Sequence, residues 1–250
     1  MSTSDSRDQS LDKFISYEVS KADEVVPGLE GGGQIPVDVR AMLPGDTANT
    51  WVTIAPIMPA SAYLVGGTAL AVHLRHRSSR DLDFFLETVG DLGELWTAFQ
   101  KMGRTSATSL SSDSIDCFFN ATKVQIIEAT SQRLILPTTR MAGIRIASVQ
   151  DIMATKVKVI LSRGELRDYF DLMHIELDAG IQVETGIALA IAKYEPRDKR
   201  EFVYSALVAL GSFGDVADDP GLPTSRKEIE KYWARRQIEV AKRYDSFGGS

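Results

Sequence analysis

Apolar and polar positions change rhythm twice along this chain of 250 residues. Residues 1–50 hold little sustained periodicity. Positions 1–10 are polar and read as frayed, Leu11 to Val19 fits a short helix, and Pro27-Gly28 and Gly31-Gly32-Gly33 then interrupt regular structure. From Ala62 the pattern sharpens. Tyr63-Leu64-Val65 is a short apolar strand that runs into Gly66-Gly67, and 68–74 reads as helix. Residues 81–87 alternate as a strand, 92–102 as a helix, and 105–110, 114–120 and 123–129 as three more strands, with 133–136 a fourth. Beyond Ser148 the period lengthens toward 3.6, giving helices over 149–161, 165–178, 184–194, 198–210 and 225–243. The last opens on the capping box Ser225-x-x-Glu228.

These elements predict an α/β fold: a mixed sheet with flanking helices over 51–147, preceded by a partly irregular extension over 1–50 and followed by an α-helical C-terminal domain over 148–250. Composition narrows the setting. The hydrophobic fraction of 44% and charged fraction of 25% are ordinary for a globular protein. No apolar run is long enough to span a bilayer, and the opening MSTSDSRDQS lacks the apolar stretch of a secretory signal. Cys117 is the only cysteine, so neither an intrachain disulfide nor a cysteine-based zinc site can form. A cytoplasmic protein without membrane partners is expected. The net charge of −6 argues against general coating of nucleic acid but leaves room for a local basic groove. The basic run from Arg226 to Arg243 reads as a solvated helix face.

Candidate chemistry lies on the strand 81–87. Side chains alternate faces, so Asp81 and Asp83 share one side while Leu82, Phe84 and Leu86 enter the core. Two carboxylates so close repel unless a cation lies between them, and Mg²⁺ (or Mn²⁺) suits a pair of carboxylates completed by phosphate oxygens. The plain alternative is a solvated strand face. Upstream, Gly66 and Gly67 let a phosphate approach the backbone where a helix begins, and Thr68 either adds a hydroxyl to it or caps the helix. The loop Arg75-His76-Arg77-Ser78-Ser79-Arg80 precedes the acids. Arg77 and Arg80 could bind a triphosphate or an RNA backbone, or simply neutralise Asp81 and Asp83. A phosphate cradle beside a metal site is what nucleotidyl transfer requires. Gly31–Gly33 lacks the Lys and Ser/Thr of a phosphate loop and reads as a link.

Further along, Lys156 falls in the apolar stripe of Val149, Ile152, Met153 and Ile160, so it needs an anionic partner or a route to water. Asp168 and Asp171 lie on a helix with two apolar faces and also need partners, for which Arg167 or Lys156 could serve. Asp151 fits the N-terminal dipole of its helix. His73, His76 and His174 have no metal-site spacing, and Cys117 reads as an inert packing residue.

The segment YLVGGTALAVHLRHRSSRDLDFF resembles the signature of the AbiEii-type nucleotidyltransferases, toxins of bacterial toxin–antitoxin pairs within the polymerase-β-like superfamily. The resemblance continues in SVQDIMATKVKVILSRGELRDYFDL and covers about residues 60–175. It implies that Asp81 and Asp83 hold the metal, that Lys156 contacts the phosphates of an NTP, and that Asp168 or Asp171 belongs to the active site. It also implies an acceptor such as tRNA or a protein, and a cognate antitoxin. One departure stands out. Superfamily members carry a third metal-ligating acid on a neighbouring strand, and here Gln125 stands there, with Glu128 on the opposite face. Two other functions therefore stay open: nucleotidylation of a small molecule resembling an aminoglycoside, and a non-catalytic nucleotide-binding or interaction module.

Overall fold

The computed structural model describes residues 3–22 and 33–248. Pro27, Gly28, Gly31 and Gly32 lie outside them. The chain divides into two compact units: Pro27–Ile152, and Met1–Val26 together with Met153–Ser250.

The first unit is built on a seven-stranded mixed sheet of β1 (Ala62–Val65), β2 (Leu82–Leu86), β3 (Thr105–Leu110), β4 (Ser114–Phe119), β5 (Thr122–Glu128), β6 (Thr139–Met141) and β7 (Ile144–Ile146). Their order is β3-β4-β5-β2-β1-β7-β6. β2 runs parallel to β5 and antiparallel to β1, and β1 runs parallel to β7. Alternation holds along β2, where Leu82, Phe84 and Leu86 are fully buried and Asp83 and Phe85 are only half-buried. The buried face continues through Val124 and Ile126 on β5 and Ile115, Cys117 and Phe119 on β4. Helix α5 (Leu92–Met102) covers it, with Phe99 edge-on to Phe119.

Three differences from the sequence expectation concern this unit. Residues 39–50 are partly packed: α2 (Val37–Ala41) buries Val39, and α3 (Thr47–Ile54) buries Ala48 and, just beyond, Trp51 and Ile54. The expected strand at 133–136 does not form. The N–H groups of Ile135 and Leu136 instead donate to the Asp151 carboxylate, each at 3.0 Å. Donors committed to a side chain cannot join a ladder. The missed strands are β6 and β7, three residues each, around a tight turn at Ala142 and Gly143, both with positive φ. Segments so short carry no readable alternation, and β7 is fixed by its distant partner β1.

The second unit is helical among the described residues. Its elements are α1 (Thr3–Lys21), longer than the segment expected at its start, the continuation of α6 (Val149–Arg163), α7 (Leu166–Ala179), α8 (Val183–Tyr194), α9 (Lys199–Gly211) and α10 (Arg226–Gly248). α10 is more than a solvated basic face. Arg236 is buried and bonds Glu176 at 2.9 Å and Glu184 at 2.7 Å, while the Trp233 indole donates to the Tyr169 carbonyl at 3.0 Å. Glu18 of α1 accepts from Thr185 at 2.6 Å and pairs with Arg243. Among the described residues, no helix is long and apolar enough to cross a membrane.

Candidate active site

β1 ends at Val65, and α4 (Gly66–Leu74) begins at once on the two glycines. Val65, as N-cap, offers no side-chain oxygen to the first N–H groups of α4. Gly66 has φ +70°, and a Cβ there would lie 2.6 Å from Asp83 Oδ2. A Cβ at Gly67 would lie 2.6 Å from an Arg77 guanidinium nitrogen and 3.2 Å from Ser79 Oγ. The glycines therefore bring the helix start against the Asp83 carboxylate and the Arg77 guanidinium, and larger residues would displace both.

Thr68 is fully buried. Its hydroxyl bonds the Asp81 carbonyl and pairs with the Ser79 hydroxyl at 2.9 Å. The structure thus places Thr68 as a brace on the backbone of Asp81, with its hydroxyl already engaged. Asp81 immediately precedes β2, and among the described residues its carboxylate has no hydrogen-bonding or ionic partner. Arg80 is exposed; its carbonyl accepts from Thr47 at 2.9 Å, and its guanidinium is unengaged among the described residues. Arg75 is committed to Asp38 at 2.9 Å and to backbone carbonyls. His73 bonds the Ala147 carbonyl at 2.8 Å, and burial lowers its pKa.

Sheet register adds a residue that sequence reasoning missed. Asp83 pairs with Gln125 on β5, and Gln125 pairs with Asp116 on β4. Direct partners share a face, so the three form one row, and the Gln125 amide donates to Asp116 at 2.6 Å. A carboxylate is thus present one strand beyond the position where Gln125 stands. The signal was readable: a two-residue loop, Asn120-Ala121, joins Phe119 to Thr122 and fixes Asp116 opposite Gln125. Among the described residues no group of three or more His, Cys, Asp and Glu is gathered as a metal site.

In the helical unit, Lys156 is buried as its place in the apolar stripe requires. Its ammonium lies 2.6 Å from Asp168 and 2.7 Å from Asp171. Asp171 is fully buried; Asp168 also accepts from the Glu165 N–H at 3.0 Å. Arg167 pairs instead with Glu165 at 2.6 Å. The three predicted residues are therefore brought together. Asp151, with Ser148 and the 135–136 backbone as partners, acts as a local clamp in the sheet unit.

A mixed sheet with a glycine turn abutting an aspartate pair is the fold of nucleotidyltransferases, and this chain is such an enzyme. It belongs to the AbiEii family of nucleotidyl transferase toxins of type IV toxin–antitoxin systems, whose model matches residues 58–126 and 114–247. A relative in Aquifex aeolicus, itself uncharacterized, is 29% identical over 180 residues, spanning 71% of this chain and 86% of that protein. The fold is also similar to that of MenT4, a nucleotidyltransferase toxin from Mycobacterium tuberculosis, with a TM-score of 0.58 over 99% of this chain and 93% of that one at 15% identity.

Proposed function

We propose that this enzyme moves a nucleoside monophosphate from an NTP to a hydroxyl of a macromolecular acceptor, an RNA such as tRNA or a protein. We further propose that it is the growth-inhibiting member of a toxin–antitoxin pair. The observation that carries the proposal is the approach of Gly66 to Asp83, which puts the start of α4 beside that carboxylate. The donor set of Asp81 and Asp83 fits a hard divalent cation, Mg²⁺ or Mn²⁺. Such a cation, when bound, neutralises charge on the phosphates and favours departure of pyrophosphate.

The chain's own groups do the rest. The N–H groups at Gly66, Gly67 and Thr68 face a phosphate at the positive end of the α4 dipole. Arg77 over Gly67, and Arg80 at the surface, add positive charge for the triphosphate. Thr68 holds the Asp81 backbone in place. The family motifs also give Lys156 to the nucleotide phosphates and Asp168 or Asp171 to the acceptor hydroxyl as base. Both acids pair with the Lys156 ammonium.

Incubating the full chain with Mg²⁺, the four α-³²P-labelled NTPs and cell extract tests the proposal. Label on RNA or protein, lost in Asp81→Ala and Asp83→Ala, is expected. Absence of any labelled product, together with normal growth on expression, would overturn it. Gln125 favours one second reading, a nucleotide-binding module without turnover. It predicts calorimetric binding of Mg·NTP analogues with no transfer.

A further inference from the structure

We propose that Phe118 is a stacking platform for a base of a single-stranded RNA acceptor, with Lys123 and Arg104 receiving its phosphates; this rests on the transferase reading of the Asp81/Asp83 site. The β4–β5 turn sets Phe118 opposite Lys123, two residues along from the Asp116–Gln125 pair. All four side chains therefore lie on the face that carries Asp83, opposite the buried face of Cys117, Phe119 and Val124. Phe118 is 44% exposed, whereas Phe84, Phe99, Phe119 and Phe170 are at most 1% exposed. One exposed aromatic is unremarkable by itself. Its place is what matters.

Leu82 pairs with Val124, so Asp81 is level with Lys123, and Lys123 is level with Phe118. Two strand spacings, roughly 10 Å, separate Asp81 from the Phe118 backbone. The sheet order then assigns sides. β1 and the α4 start, with Gly66, Gly67 and Arg77, flank the aspartates on one side, and β5 and β4 flank them on the other. In-line displacement at the α-phosphorus requires the attacking oxygen to arrive opposite the departing pyrophosphate. A triphosphate on the α4 side leaves the β5–β4 side for the acceptor.

That side is also shaped to receive one. A cavity of about 540 Å³ is lined by Asp46, Arg104, Thr105, Ser106, Asn120 and Ala121. One of its lining residues, Ser106, is the β3 partner of Phe118. Arg104 and Lys123 are exposed, and their side chains form no ion pair among the described residues. A flat ring accepts any base by its π-face, the two cations match phosphates, and Ser106, Asn120 and Asp46 offer partners for ribose hydroxyls.

The test uses the full chain in two arms. In the first, labelling of RNA by Phe118→Ala is compared with wild type at varied acceptor and varied NTP. A roughly 10- to 100-fold rise in acceptor KM, with NTP KM unchanged and recovery in Phe118→Tyr, is expected from the loss of one stacked base. A matching rise in NTP KM would assign the ring to the incoming nucleotide and overturn the proposal, as would an unchanged acceptor KM or label found only on protein. In the second arm, fluorescence of Phe118→Trp, measured against wild type, is titrated with a short single-stranded oligoribonucleotide. Quenching that weakens with salt and in Lys123→Gln and Arg104→Gln is expected; no quenching overturns the proposal. This arm needs no turnover. Quenching without any labelling would sink the transferase reading while leaving the RNA surface standing.

Discussion

Two of the chain's pairs of neighbouring aspartates, one in each unit, are treated in opposite ways. On the strand side, Asp81 and Asp83 stand two residues apart near the start of α4, and the Asp81 carboxylate has no protein partner among the described residues. On the helical side, Asp168 and Asp171 stand three apart, and a single buried lysine holds both at 2.6 and 2.7 Å. A buried ion cluster that satisfies itself is a structural element first, because breaking it strands a charge in a low dielectric. The Asp81 carboxylate has no such structural duty among the described residues, and in the proposed reading it serves a cation instead. The difference separates residues whose removal should cost chemistry from residues whose removal should also cost the fold.

The sharpest test of that contrast is Asp81→Ala. Transfer should fall by roughly 10³-fold or more, in line with removal of a principal charge-stabilising group. Thermal stability should hold or rise slightly, since the remaining carboxylate loses a like-charged neighbour. A large drop in melting temperature would show that Asp81 is structural after all. Lys156→Met should do the reverse. It leaves Asp168 and Asp171 buried without their cation, which costs about 3–5 kcal/mol, and denaturant titration should show it. If Lys156→Met is as stable as wild type yet inactive, the lysine belongs to the nucleotide, and the two pairs are more alike than their geometry implies.

How much of this was legible beforehand follows the range of the interactions. Asp83 turned away from the buried Leu82, Phe84 and Leu86, and Lys156 trapped in an apolar stripe, are consequences of local periodicity, and both stand in the structure. The pairing of Lys156 with both aspartates was one of two open choices, because sequence cannot rank Lys156 against Arg167. Thr68 shows the limit more plainly. Its hydroxyl bonds a carbonyl thirteen residues away, a contact set by how the Ser79–Asp81 loop folds back. Asp116 lay hidden for another reason: it sits two strands from Asp83, and only the register fixed by the Asn120-Ala121 loop brings it into line through Gln125.

Gly66→Ala tests the close approach on the strand side. A methyl group would meet Asp83 Oδ2 at 2.6 Å and hold a non-glycine residue at φ +70°. The backbone strain should cost about 1–3 kcal/mol. The displaced carboxylate should cost activity beyond what that loss of stability explains, read as a lower kcat in protein that is still fully folded. Equal activity would mean that Asp83 can move away freely, and the tight packing would then carry no chemistry.

The smallest effect concerns the two faces of β4, where Asp116 faces the open side and Cys117 the core. Burial, and next the charge of Asp116, push the Cys117 thiol from 9.0 up to about 11. A folded-state pKa above the unfolded one means stability that is complete below about pH 9 and is lost as pH rises toward 11. The loss should reach about 1 kcal/mol by pH 10. Cys117→Ala should flatten the alkaline limb of stability between about pH 9 and 10, even if it lowers stability at neutral pH, leaving the fall at higher pH that Tyr169, Tyr232 and Tyr244 add. Asp116→Asn should leave most of that limb in place, since burial is the larger cause. If Asp116→Asn flattens it as fully as Cys117→Ala does, the carboxylate acts through the sheet more strongly than the burial of Cys117 does, and the two faces of β4 are not electrostatically separate.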